Sequence, residues 1–270
     1  MKKPSQWAVL ALAAMLPLAA SAHKAFIVPS TTVLSDGDDA WVTFDASVSN
    51  DLFYFNHHAL DLDHLVVTGP DGKPVAAENK NTGKWRSTFD VHLTQPGTYR
   101  VAIENSGVFA SYVDAKGEKK RWRGSVDKLG DIPADAKDVE ISESQSSVNT
   151  YVTLGKPSGG ALKPSGHGLE FAPVTSPNDL YAGEAAKFRF LLDGKPVKDL
   201  KVTVIPGGTR YRDKQDETTA TTDANGEFSV TWPAPGLYWL SASLDKQKPT
   251  TPKAKERRLG YVATLEVLPQ

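Results

Sequence analysis

Short runs in which apolar and polar residues alternate, cut at close intervals by Gly, Pro, Asn or Asp, constrain this chain more than any other feature. Val42 and Phe44 alternate with Trp41, Thr43 and Asp45; Phe89, Val91 and Leu93 alternate with Asp90 and His92; Tyr99, Val101 and Ile103 follow the Pro96-Gly97 turn. A period of two places every second side chain on one face, so each run reads as a β-strand with one face buried. The runs Lys187–Leu192, Lys201–Ile205, Phe228–Trp232 and Leu237–Leu244 repeat the scheme, with Asp223-Ala-Asn-Gly226 as a tight turn. Helical periodicity is absent from the chain after residue 22. The pattern predicts an all-β protein.

Two motifs occur twice in the same order. Asp71-Gly-Lys-Pro-Val75 returns as Asp193-Gly-Lys-Pro-Val197, and Gln95-Pro-Gly-Thr-Tyr99 returns in form as Ala234-Pro-Gly-Leu-Tyr238. The second pair is spaced further apart, which a loop or an added hairpin would absorb. The echo predicts two immunoglobulin-like antiparallel β-sandwich domains in tandem, each about 100 residues long.

Between the two copies, residues 108–168 show weak periodicity. They hold the charged turn Lys116-Gly-Glu-Lys-Lys-Arg-Trp-Arg123, a strand over Val148–Leu154 and a Gly/Pro/Ser run over residues 155–166. The boundary is placed near residue 160, giving domains at 23–160 and 161–270. The long segment before it reads as an elaborate connection, because its basic residues lack ligand spacing.

The first 22 residues carry a different signal. Lys2 and Lys3 precede an apolar run from Trp7 to Ala19, and Ala20-Ser21-Ala22 supplies the small residues of an A-x-A cleavage site. The run is too short for a membrane span. The expectation is a cleaved signal peptide over residues 1–22, export to the periplasm and no stable membrane insertion. Removing Lys2 and Lys3 with the leader moves the formal charge from −1 to −3. Such a balance, with no basic run interleaved with aromatics, points away from nucleic acid. The absence of cysteine excludes disulfides, thiolate metal sites and a cysteine nucleophile.

Cleavage after Ala22 would leave His23 as the first residue. Its α-amine and imidazole Nδ1 could then close one chelate ring around a single ion, and imidazole suits nickel, copper and zinc. Three further histidines lie in one short segment, Phe55-Asn-His-His-Ala-Leu-Asp-Leu-Asp-His64, flanked by Asp51, Asp61 and Asp63. The candidate ligands are therefore His23, His57, His58 and His64. Adjacent His57 and His58 would point to opposite sides of an extended strand, although a loop relaxes that limit. His92 falls on the outer face of its strand, and His167 sits beside the linker.

Enzyme signatures are missing. There is no GxSxG elbow, no GxxxxGK[ST] loop, no dinucleotide GxGxxG and no HExxH. A copper monooxygenase built on a terminal histidine would need a flat aromatic face, and Phe53, Tyr54 and Phe55 read instead as strand core. No catalytic residue and no organic cofactor are expected.

The stretches Gly166-His-Gly-Leu-Glu-Phe-Ala-Pro-Val-Thr-Ser-Pro-Asn-Asp-Leu180, Thr222-Asp-Ala-Asn-Gly226 and Pro235-Gly-Leu-Tyr-Trp239, with the start His23-Lys-Ala-Phe-Ile-Val-Pro29, resemble a bacterial periplasmic family of unknown function often labelled as nickel-uptake, NikM-like components. The resemblance implies a metal-associated accessory protein, working beside a metal transporter or a TonB-dependent receptor. The sequence thus supports a periplasmic protein that binds a divalent transition metal for uptake or buffering. The alternative is a non-metal adhesive or carrier-type interaction module of the cell envelope.

Overall fold

The computed structural model describes residues 23–270 except residues 36, 38 and 252; the leader proposed for residues 1–22 lies outside the described residues. The first half contains β1 (Lys24–Pro29), β2 (Val33–Leu34), β3 (Ala40–Ser49), β4 (His58–Ala59), β5 (Leu65–Thr68), β6 (Glu78–Thr82), β7 (Ser87–Leu93), β8 (Gly97–Val113), β9 (Lys119–Gly124) and β10 (Lys137–Leu154). The second half contains β11 (Leu169–Pro173), β12 (Ala185–Leu192), β13 (Lys195–Pro196), β14 (Lys201–Pro206), β15 (Thr218–Thr221), β16 (Glu227–Thr231), β17 (Gly236–Gln247) and β18 (Glu256–Val267).

Three sheets make two immunoglobulin-like sandwiches. One sheet runs β1-β3-β7-β6, another β11-β12-β13 with β16 on β12, and a long mixed sheet runs β15-β14-β17-β18-β10-β8-β5. The halves repeat one pairing scheme. β1–β3, β3–β7, β5–β8 and β8–β10 are antiparallel, as are their counterparts β11–β12, β12–β16, β14–β17 and β17–β18. The halves join where β10 lies parallel to β18, from Ser142 beside Glu256 to Thr150 beside Thr264.

This junction puts the two cores on opposite faces of one sheet. Along β10, Val148, Val152 and Leu154 pack into the first core with Phe44, Phe89, Tyr99 and Val101, while Tyr151 packs into the second with Phe171, Phe188, Trp232 and Tyr261. Odd and even positions of an extended strand face opposite ways, so a single strand serves both sandwiches.

The repeated Pro-Gly-x-Tyr motif is a tyrosine corner in each half. Tyr99 donates its hydroxyl hydrogen to the Gln95 carbonyl at 2.9 Å and accepts from the Gln95 amide at 2.8 Å; Tyr238 donates to the Ala234 carbonyl at 2.7 Å and accepts from the Ala234 amide at 3.3 Å. Both tyrosines stand on equivalent strands, β8 and β17. The Asp-Gly-Lys-Pro-Val echo has another origin. Asp71–Val75 follows β5, whereas Asp193–Val197 precedes β14, which is the counterpart of β5. The two segments occupy different connections and share only turn chemistry, with Gly72 at φ 82° and Gly194 at φ 77°. This explains the unequal spacing of the two echoes without an inserted hairpin. The place equivalent to residues 193–200 in the first half is the longer connection 50–64, which carries three of the histidines.

Residues 108–141 are built mainly on strands, with an irregular connection over 125–136. β8 and β10 extend past the sandwiches and β9 adds to the β8 edge, giving a tongue with its own small core of Val108, Ala110, Ile141 and the half-buried Trp122.

Candidate functional site

The histidine cluster grows from the way β3 ends. β1 pairs with β3 on one side, Lys24 opposite Ser49, and the two-residue β4 pairs on the other, His58 opposite Val48. The chain entering β1 and the loop entering β4 are thereby brought to one edge of the first sandwich. His23 and His57 stack ring to ring, with centroids 3.7 Å apart and planes within 2°. The His58 ring is 4.7 Å from that of His57, at 48°. The segment turns out of its loop at this point, so the two neighbours do not take the opposite faces that an extended strand would give them.

The loop beneath is held by its own side chains. The Asn56 amide donates to Asp51 at 2.8 Å, and Asn56 Oδ1 accepts from the Asn50 amide at 3.0 Å. Phe53, with φ at 63°, sets its ring edge-on to buried Phe26 at 5.3 Å. The second sandwich supports this loop and the neighbouring β1. The Leu52 amide donates to Thr209 Oγ1 at 3.0 Å, and Trp239 Nε1 donates to the Ala25 carbonyl at 2.9 Å.

Each imidazole is prepared differently. His58 Nδ1 lies 2.8 Å from the Ala59 carbonyl oxygen. A carbonyl only accepts, so Nδ1 carries a proton, and in the neutral ring the lone pair stands on Nε2. Partial desolvation, followed by repulsion from His23 and His58, lowers the pKa of His57, favouring the neutral, ligand-competent ring. The α-amine of His23 becomes a free donor only if the chain is cut after Ala22.

The four expected ligands do not all meet. His23, His57 and His58 converge, whereas His64 stands at the start of β5 on the other sheet, where its carbonyl accepts from the Glu104 amide at 3.0 Å. Asp61 is occupied by the Asp63 amide at 2.8 Å. His92 stacks on Trp41 at 4.4 Å, on the outer face of the first sandwich. Among the described residues, no three His, Asp or Glu side chains surround a common point. Parallel stacking explains this for the cluster, because the nitrogen lone pairs of His23 and His57 lie in parallel planes and do not meet. The donor chemistry fits a divalent transition metal, and ligation requires one exposed ring to turn about its side-chain torsions.

A family model described as a domain of unknown function, DUF4198, matches residues 20–246. The chain belongs to the DUF4198 family. That description carries no function and gives no support to a nickel-uptake label. No curated protein matches the sequence. Among solved structures, the D0-D1 domain of Intimin aligns at 13% identity over 90% of this chain and 97% of its own length, with a TM-score of 0.24. Trypsin-activated alpha-2-macroglobulin from Escherichia coli aligns at 13% identity over 90% of this chain and 16% of its own, with a TM-score of 0.22. At such scores these likenesses carry no argument, and the sandwich architecture rests on the sheets described above.

Proposed function

We propose that this DUF4198 member is a non-catalytic binding module of the periplasm, and that it takes a divalent transition metal (nickel, copper or zinc) at His23, His57 and His58 for uptake or buffering. The observation that carries the reading is that two separate stretches of chain bring three imidazoles side by side, His23 against His57 at 3.7 Å and His57 against its neighbour His58 at 4.7 Å between ring centroids. When bound, the metal would draw on His58 Nε2, on the His57 ring and on the amine and imidazole of a terminal His23. Cargo of this kind would be passed to or received from a transporter or a TonB-dependent receptor. Isothermal titration of protein cut before His23 against nickel, copper and zinc tests it, in parallel with His23→Ala and with a form carrying one extra residue before His23. Equal affinity in all three proteins sinks the chelate.

The family description names no metal, and the reading of the other class is an adhesive or carrier-type interaction module. One observation on the molecule favours it: the tongue exposes Phe109, Val126 and Val139, at 37%, 49% and 36%, outside both sandwich cores. Absence of metal-dependent heat in every protein tested would leave this second reading in place.

A further inference from the structure

The sheet shared by the sandwiches is covered on one face by β1-β3-β7 and, over its other half, on the opposite face by β11-β12-β16. The back of β5, β8 and β10 is therefore left uncovered beside the second sandwich. There the linker 161–167 bends over the strands and partly roofs an open cavity of 450 Å³, within the size range of small-molecule sites. This cavity and the histidine cluster lie on opposite sides of the molecule's sheets and share no residue.

Its roof is built rigidly. The Glu170 carboxylate accepts from the Ser165 amide at 2.6 Å, the Ser165 hydroxyl at 2.8 Å and the Gly166 amide at 2.9 Å. At the other end of the linker, Gly160 lies so close to the turn after β5 that a Cβ there would stand 1.8 Å from the Pro70 carbonyl oxygen. The floor is polar and ordered. Arg100 donates through Nε to Asn149 at 2.9 Å and through an Nη to Glu104 at 2.7 Å, with Ser106, Gln145 and Ser147 alongside. One wall is aromatic, with Phe171 and Tyr261 stacked at 5.5 Å.

The charges decide what such a cavity takes. Two formal positive charges, Arg100 and Lys163, and two negative ones, Glu104 and Glu170, line the cavity beside His167, so with a neutral imidazole no net charge selects an anion or a cation. An apolar ligand would leave the Ser106 and Ser147 hydroxyl hydrogens and the Gln145 amide N–H groups of the floor without partners. A donor and an acceptor held 2.7 Å apart match adjacent hydroxyls, each of which both donates and accepts. We propose that this cavity is a binding site for a neutral polyhydroxylated ligand, a saccharide of one or two rings.

The test is titration of the isotope-labelled full chain with glucose, N-acetylglucosamine and maltose, with galacturonate and inorganic phosphate as charged controls, read by backbone amide shifts. At least one neutral saccharide is expected to give saturable shifts at Ser106, Gln145, Ser147 and Phe171, with a dissociation constant on the order of 1 mM. Ser106→Tyr, which fills the cavity from an exposed position on its floor, should abolish saturation. Glu104→Gln, which keeps the shape but halves the acceptor, should weaken it about tenfold and carries the test if the tyrosine variant fails to fold. No saturable shift with any neutral saccharide, shifts outside the cavity, indifference to Glu104→Gln, or tighter binding of galacturonate or phosphate would each overturn the proposal.

Discussion

Replacing Arg257 by Ala removes the most buried cation among the described ion pairs. Its side chain is 5% exposed and donates to Asp193 Oδ2 at 2.9 Å, Asp193 Oδ1 at 3.2 Å and Gln145 Oε1 at 2.7 Å, with its Nε 3.5 Å from Glu143. It ties β18 and β10 to the β12–β13 turn, and so secures the seam between the sandwiches. Breaking one partner out of a buried pair costs about 3–5 kcal/mol, mainly because the opposite charge is left stranded. The lower end applies here. Glu143 keeps the Thr250 amide and hydroxyl and the Thr251 amide, while Asp193 keeps the Gly168 amide and is 45% exposed. The expected loss is about 3 kcal/mol, which for a chain of this size lowers the melting temperature by roughly 6–12 °C. Urea unfolding followed by tryptophan fluorescence should show the midpoint falling with an unchanged slope. Arg257→Lys should recover less than half, because an ammonium cannot reproduce the fork of the guanidinium. A loss under about 1 kcal/mol would refute the reasoning, since that is what a solvated surface pair contributes.

The same carboxylates predict acid lability. Burial raises the Glu143 and Asp193 values, but hydrogen bonds from Thr250 and Thr251 to Glu143 and from Gly168 and Arg257 to Asp193 outweigh it, so both are lowered. Groups with depressed folded values stabilise above the unfolded carboxylate value of about 4 and lose that contribution as pH falls through the folded one; urea midpoints should drop below pH 4 in the parent and less so in Arg257→Ala. Tyr99→Phe and Tyr238→Phe each delete both bonds of a tyrosine corner and should cost about 1–2 kcal/mol by the same assay, with additive effects because the corners lie in separate sandwiches. Gly160→Ala should cost about 2–3 kcal/mol by forcing the linker off the Pro70 carbonyl. Metal affinity measured by titration should fall steeply as pH drops through the imidazole range, about 6.5, because protons compete for the ligand nitrogens.

Legibility in the sequence follows how many faces of a strand are buried. β7, β12, β16 and the first half of β3 each bury one face, alternate and are readable with their turns. β10 from Val148 to Leu154 and the centre of β18 are buried on both faces, because each serves two cores. Period two fails there, which hides β18 and shortens β10 to its apolar end. The tyrosine corners show as a true repeat, whereas the Asp-Gly-Lys-Pro-Val echo shows that a turn sequence reports local backbone demands and not position in a fold. Of the four histidines, the sequence supplies the candidates but not the meeting of three, which depends on β4 pairing to the far side of β3. The cavity floor was hidden for a related reason. Arg100, Glu104, Gln145 and Ser147 read as the solvated face of ordinary strands, and only the linker folded over them makes a site.

Paramagnetic resonance of one equivalent of copper(II) tests the histidine edge most directly. Protein shown by mass spectrometry to begin at His23 should give a single nitrogen-rich spectrum that changes when one residue is added before His23, and again in His57→Ala and His58→Ala. A spectrum of unbound copper, or one identical in all four proteins, would contradict it.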